Sequence, residues 1–84
     1  MSPTVFTWKG CRFFFFSREE TRPHVHVSCP DGEAKFWLEP AVTVARNHRL
    51  PDVQLSRLKK VVEERKDEIV RSWQRHFRGP SQQR

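Results

Sequence analysis

Residues 23–38, PHVHVSCPDGEAKFWL, contain two short segments of alternating apolar and polar side chains on either side of a turn sequence. In the first segment two valines share one face of an extended chain and two histidines share the other, because successive strand side chains point to opposite sides. Residues 29–32, CPDG, have the composition of a tight turn. The stretch therefore predicts a β-hairpin.

One register of this hairpin sorts the apolar and polar side chains of both segments. If residues 29–32 form the loop, the inner face pairs Val25 with Phe36 and Val27 with Ala34, and Leu38 continues it. Shifting the pairing by one residue would place the valines against polar and aromatic side chains of the outer face, so the register is well specified. The outer face then carries His24 opposite Trp37, His26 opposite Lys35, and Ser28 beside Glu33.

The outer face of the hairpin has several interpretations. Two histidines, a lysine and an aromatic ring form a surface that can hold phosphate and stack a base. His24, His26 and Lys35 are also candidates for acid–base catalysis, since imidazole titrates near neutral pH and an opposing ammonium favours its neutral form. A solvated sheet face, with Trp37 covered by a loop or a partner, explains the same residues without a ligand.

A metal ion is the remaining interpretation of this face. His24 and His26 can present both imidazoles to one ion, and Glu33 or Cys29 can complete the ligand set. However, the chain has no second ligand pair at metal spacing, and Lys35 opposite His26 would repel a cation. We therefore expect no metal and no cofactor.

The order of motifs along the chain carries a resemblance. PHVHV, then GEAKFWLEP after a short turn, follows RFFFFS and precedes an amphipathic helix that ends in a tryptophan and a phenylalanine. In this combination residues 3–78 resemble the small bacterial proteins grouped as domain-of-unknown-function family 4160. The chain departs from that pattern at Pro51 and in its tail, GPSQQR. The family's motif residues fall on Pro23, His24, His26, Val27, Gly32, Glu33, Lys35, Phe36 and Trp37.

Family members are often encoded beside small antitoxin-like proteins, so the resemblance implies a module of toxin–antitoxin type. It transfers no established catalytic residue. We expect a small basic interaction module that binds a small partner protein through the His/Lys/Trp face of residues 24–37. Nucleic acid is a further expected ligand of this face. The alternatives are a ribonuclease-like toxin that uses His24, His26 and Lys35, and a metal-binding protein.

The flanking segments complete an α+β domain. Residues 4–8 and 11–17 are predicted strands joined by a Lys9-Gly10 turn, whereas residues 41–50 suit either a short strand or helical turns. A long helix is predicted over residues 52–77, with an apolar stripe of Leu55, Leu58, Val62, Ile69, Trp73 and Phe77. At about 39 Å it is longer than a small sheet, so it must bend or overhang. An overhang offers a surface for a homodimer.

The composition suits one small basic domain. The 84 residues carry a net charge of +6, and the excess lies in residues 45–84, which hold eleven basic and five acidic residues. We expect an antiparallel sheet of three or four strands, packed on one face by the long helix, over residues 1–78, and a disordered tail over 79–84. The N-terminus has no signal-peptide pattern and no segment suits a membrane helix, so we expect a cytoplasmic protein with Cys11 and Cys29 reduced.

Overall fold

The computed structural model describes residues 4–16 and 22–77. The chain forms an antiparallel meander in which each strand pairs with the next, followed by two helices. The α+β class is confirmed, but the prediction of three or four strands and one helix is wrong in detail. The predicted tail over residues 79–84 lies outside the described residues. The elements are β1 (Thr4–Trp8), β2 (Cys11–Phe14), β3 (His24–Cys29), β4 (Gly32–Trp37), β5 (Thr43–His48), α1 (Asp52–Glu64) and α2 (Lys66–Phe77).

The central hairpin has the predicted register. Val25 pairs with Phe36, Val27 with Ala34, and His26 with Lys35. The turn is shorter than predicted, because Cys29 and Gly32 are themselves paired and only Pro30 and Asp31 connect the strands. Gly32 does not act as a turn glycine, because its φ is not positive. Instead, a Cβ at this position would collide with the backbone of His48 and Arg49. Gly32 is needed for the close approach of β4 and β5.

The fifth strand comes from the segment that the sequence left ambiguous. After the cis Glu39–Pro40 peptide bond, residues 43–48 pair with β4, with a bulge opposite Lys35 and Phe36. The Asn47 side chain then accepts a hydrogen bond from the Leu50 N–H at 3.1 Å and donates one to the Leu50 carbonyl at 3.0 Å. These bonds fix the connection to α1. Both edge strands carry a bulge, a device that discourages pairing with further strands.

The core lies between one face of the sheet and the two helices. The predicted inner residues of the hairpin are all buried, as are Leu58, Val62, Ile69 and Trp73 of the predicted stripe. Leu55 is partly buried against this core, whereas the side chain of Phe77 lies outside the described part of the structure. Phe13 and Phe15 of the four-phenylalanine run also face the core, and Phe14 and Phe16 face the opposite side.

The predicted long helix is interrupted at Arg65. This residue leaves helical geometry at φ −108° and ψ 20°, although its N–H still donates to the Val61 carbonyl at 3.0 Å. Its guanidinium lies 3.6 Å from the centre of the Phe6 ring and forms a bidentate pair with Glu68. The predicted single helix is therefore two helices, α1 and α2, which meet at Arg65.

Cys11 and Cys29 form a disulfide, so the prediction of free thiols is wrong. The two residues lie side by side on β2 and β3, one pair beyond Arg12 and Ser28, and their Cα atoms are 4.2 Å apart. Both are buried on the core face, where the Gln54 side chain of α1 contacts the Cys11 sulfur at 3.8 Å. The bond ties the central strands together under α1.

Candidate functional site

The outer face of the sheet, opposite the core, is organised in rows of side chains that run across the strands. The central row passes from the aromatic Phe14 on β2 to cationic residues on β4 and β5, and the lower row lies two residue pairs closer to the β3–β4 turn. A third row at the far end holds His24, Trp37 and Thr43. The central row is Phe14, His26, Lys35 and Arg46; the lower row is Arg12, Ser28, Glu33 and His48.

Aromatic contacts hold the central row together on the β2 side. The His26 ring stacks on Phe14 at 5.5 Å between centroids and meets Phe16 edge-on at 4.4 Å. The Arg12 guanidinium lies 4.3 Å from the centre of the Phe14 ring. Phe16 remains 42% exposed. An imidazole is thus positioned by two phenylalanines at the border of a cationic surface.

A groove with a volume of about 360 Å³ runs along this face. Its lining combines aromatic residues from the β2 side with basic residues from β4 and β5. We call it the outer groove. Its lining consists of Phe14, Phe16, His26, Val27, Glu33, Ala34, Lys35, Arg46 and His48.

Comparison with known proteins identifies the family. A model of the family described as "Domain of unknown function (DUF4160)" matches residues 10–74, more than three quarters of the chain. The chain belongs to the DUF4160 family. No curated protein and no solved structure matches it. The family resemblance in the sequence is therefore confirmed.

The motif that carries the DUF4160 resemblance has two parts in the structure. Val27 and Phe36 are buried in the core, and Gly32 permits the contact with β5. His26 and Lys35 lie in the outer groove, and Glu33 lies at its rim. One part of the motif builds the hairpin, and the other places polar side chains on its outer face.

His24 is not in the lining of the outer groove, although its ring meets the His26 ring edge-on at 5.1 Å between centroids. It is fully buried, and its Nδ1 donates a hydrogen bond to the Arg22 carbonyl at 2.7 Å. Its ring also packs edge-on against Trp73 of α2 at 4.9 Å and against Trp37 at 5.7 Å. His24 is therefore a buried residue at the end of the sheet, and its candidate role in catalysis or binding stays a prediction.

Trp37 and Ser28 also lie outside the lining of the groove. The half-buried Trp37 ring has two cations over it, with the Arg22 guanidinium at 4.1 Å and the Lys35 ammonium at 4.5 Å from its centre. Arg22 is held there by a hydrogen bond from its Nε to the Glu39 carbonyl at 3.2 Å. The Trp37 ring is therefore covered by cations of this chain, and its contact with Lys35 helps to position that side chain.

The groove includes residues that the sequence interpretation missed. These residues are Arg46 and His48, which come from β5. The alternation R-N-H in residues 46–48 was the available signal, but it has meaning only if residues 41–50 form a strand. Since that segment was left unassigned, its basic residues were not placed beside Lys35.

The metal interpretation loses one of its ligands. Cys29 is in the disulfide on the core face, so it cannot join histidines of the outer face. Within residues 4–16 and 22–77 no three histidine, cysteine or acidic side chains are grouped as a metal site.

Among the same residues no helix is long and apolar enough to cross a membrane.

Proposed function

We propose that this DUF4160 protein binds single-stranded nucleic acid in the outer groove. One observation carries the proposal: the strand register places aromatic and cationic side chains next to each other along a single open groove. Unpaired bases stack on aromatic rings, and phosphates bind Lys and Arg, so a surface with both suits a strand whose bases are accessible.

Each wall of the groove has a separate task in this proposal. Lys35 and Arg46 are direct neighbours across β4 and β5, and they offer adjacent positive charges for the sugar–phosphate backbone. The exposed Phe16 edge, beside His26, offers a stacking surface for a base. Stacking on an aromatic side chain contributes about 1–3 kcal/mol per base, and it is tolerant of sequence.

The experiment that tests the proposal is fluorescence anisotropy with a labelled 12-nucleotide oligouridine. We expect Lys35→Gln and Arg46→Gln each to weaken binding and to reduce the slope of log K against log salt by about 0.7, the value for one phosphate contact on a single strand. Lys60→Gln on the exposed face of α1 removes the same charge far from the groove, and it is the matched control. Equal losses in all three variants would show general attraction to a basic protein and contradict a groove.

A small protein partner of toxin–antitoxin type is the second part of the proposal, and it rests on the family resemblance. An acidic partner would be complementary to the net charge of +6 and to the cationic wall of the groove. Co-expression with the neighbouring gene product, followed by size-exclusion chromatography, tests this. Separate elution of the two proteins at micromolar concentration would count against a partner.

The proposal also includes two properties predicted from the sequence, a homodimer and a cytoplasmic location. A homodimer through the helices would need apolar surface, and in the described part of α1 and α2 the large exposed hydrophobic residue is Val53 alone. Cytoplasmic localisation, predicted from the N-terminus, has to accommodate the Cys11–Cys29 disulfide, a bond typical of oxidising compartments. Analytical ultracentrifugation and thiol labelling in lysed cells measure these two properties.

A further inference from the structure

The outer groove holds two histidines on different strands. His26 lies on β3 and His48 on β5, with β4 between them. Two strand spacings across the sheet and a two-residue offset along the strands separate their backbones by about 12 Å, and both residues line the same groove. The space between the two imidazoles lies over Lys35 and Glu33 of β4, where a phosphodiester would be flanked from both sides.

The register also gives each imidazole a defined neighbour. Lys35 is directly opposite His26, and Glu33 is directly opposite His48. Arg46 is opposite Lys35, so two permanent cations lie next to the gap. His24, the other histidine of the hairpin, is excluded because it is buried and its Nδ1 is bonded to the Arg22 carbonyl.

From this arrangement we infer that the groove cleaves the RNA it binds, with His26 and His48 as the acid–base pair. The inference rests on the proposed function, since RNA must first occupy the groove. It replaces the trio predicted from the sequence, because His48 lies in the groove and His24 does not. His26 is the better-positioned base, since Phe14 and Phe16 orient its ring.

The reaction is an internal transfer at phosphorus. His26 takes the proton of the ribose 2′-hydroxyl, and the 2′-oxygen forms a bond to the neighbouring phosphorus. The bond from phosphorus to the 5′-oxygen of the next nucleotide breaks, and protonated His48 gives its proton to that oxygen. Lys35 and Arg46 stabilise the charge on the non-bridging oxygens. The products are a 2′,3′-cyclic phosphate and a free 5′-hydroxyl, with no change in oxidation state.

The test compares cleavage and binding in the same variants. The purified full-length chain is incubated with a 5′-labelled oligouridine, and the products are resolved by gel and identified by mass spectrometry. We expect a 2′,3′-cyclic phosphate end, and no cleavage of an otherwise identical strand with 2′-deoxy sugars. His26→Gln and His48→Gln should each reduce the cleavage rate by at least about 100-fold, as expected for loss of an acid–base group, with anisotropy binding changed less than about threefold.

His76→Gln is the matched control, because His76 is an exposed histidine of α2 beside Phe15 and not in the groove. It should cleave as the native protein does, and because all variants are purified in the same way it also reports contaminating ribonuclease. Cleavage that persists in His26→Gln, or that occurs on the 2′-deoxy strand, overturns the inference. Binding without cleavage overturns the inference and leaves the proposed function standing, whereas absence of binding overturns both.

Discussion

Gly32 begins β4 beside the backbone of His48 and Arg49, and we predict that it tolerates no side chain. A Cβ on Gly32 would lie well inside contact distance of the His48 carbonyl oxygen and 3.0 Å from the carbonyl carbon of Arg49. Real Cβ atoms essentially never show contacts under 3.0 Å, and the obstructing atoms belong to the backbone. No change of rotamer can relieve this contact, so β4 and β5 would have to separate.

The end of β5 is poorly able to move away. Arg49 already has a φ of 73°, and the Asn47 side chain is bonded to both backbone groups of the buried Leu50. Overpacking costs about 1–3 kcal/mol when neighbours can shift, so we expect Gly32→Ala to lose about 3 kcal/mol. An 84-residue domain has a total stability of about 4–13 kcal/mol, so this is a large fraction of it. The corresponding decrease in Tm is about 12–24 °C.

Gly10 provides the matched control, because its requirement is conformational. It has a φ of 81°, and a Cβ there would meet no atom within 4 Å. Alanine at Gly10 should cost about 1–2 kcal/mol, and asparagine, which tolerates this backbone region, should cost less. At Gly32 asparagine should be as damaging as alanine, because the obstacle is steric. Urea unfolding followed by tryptophan fluorescence measures all four variants.

The reasoning about Gly32 would be refuted by either of two results. One is a free energy of unfolding for Gly32→Ala within about 0.5 kcal/mol of the native value, the range of ordinary surface substitutions. The other is rescue by asparagine at Gly32 to the same extent as at Gly10. Because β5 carries Arg46 and His48, we also expect Gly32→Ala to weaken oligouridine binding even at temperatures where it is folded.

Three further predictions follow from other parts of the fold. Replacing both Cys11 and Cys29 with alanine should lower the free energy of unfolding by about 3 kcal/mol, a value that follows from the 18-residue separation of the bridged cysteines. A reductant should shift the urea midpoint of the native protein by the same amount. An unchanged midpoint contradicts this prediction. Arg65→Gln should lower the stability by about 1 kcal/mol through loss of the Phe6 contact. Glu68→Gln removes only the partly exposed ion pair and should lower the stability by less than about 0.5 kcal/mol. Equal decreases in Tm for the two variants would contradict this difference. His24→Ala should cost about 2 kcal/mol, because the Arg22 carbonyl loses its partner, while the folded variant binds oligouridine normally; weakened binding would place His24 in the site after all.

The sequence alone predicted the central hairpin down to its register. Val25, Val27, Ala34 and Phe36 alternate with polar residues, and only one pairing keeps every apolar side chain on one face. The bounds of the helical region were predicted for a similar reason, since the apolar stripe from Leu58 onwards repeats with the helical period. Both patterns depend on near neighbours along the chain, where secondary structure is directly encoded.

The outer groove was only half predictable. His26, Glu33 and Lys35 were placed correctly because they belong to the hairpin. Arg46 and His48 were missed because β5 is largely exposed and has no apolar contrast, so its periodicity carries no signal. His24 was assigned to the open face because strand alternation puts it there, yet Trp73 from α2 covers it.

What the sequence by itself determined is therefore the alternation within each strand and the stripe on the helices, both of which are short-range properties. The tertiary structure alone decided the fifth strand, the interruption at Arg65, the disulfide between Cys11 and Cys29, and the presence of His48 in the lining of the outer groove. Each of these depends on which segments meet after the sheet has formed and twisted. Contacts between distant segments reflect space and packing, and no local pattern in the chain records them.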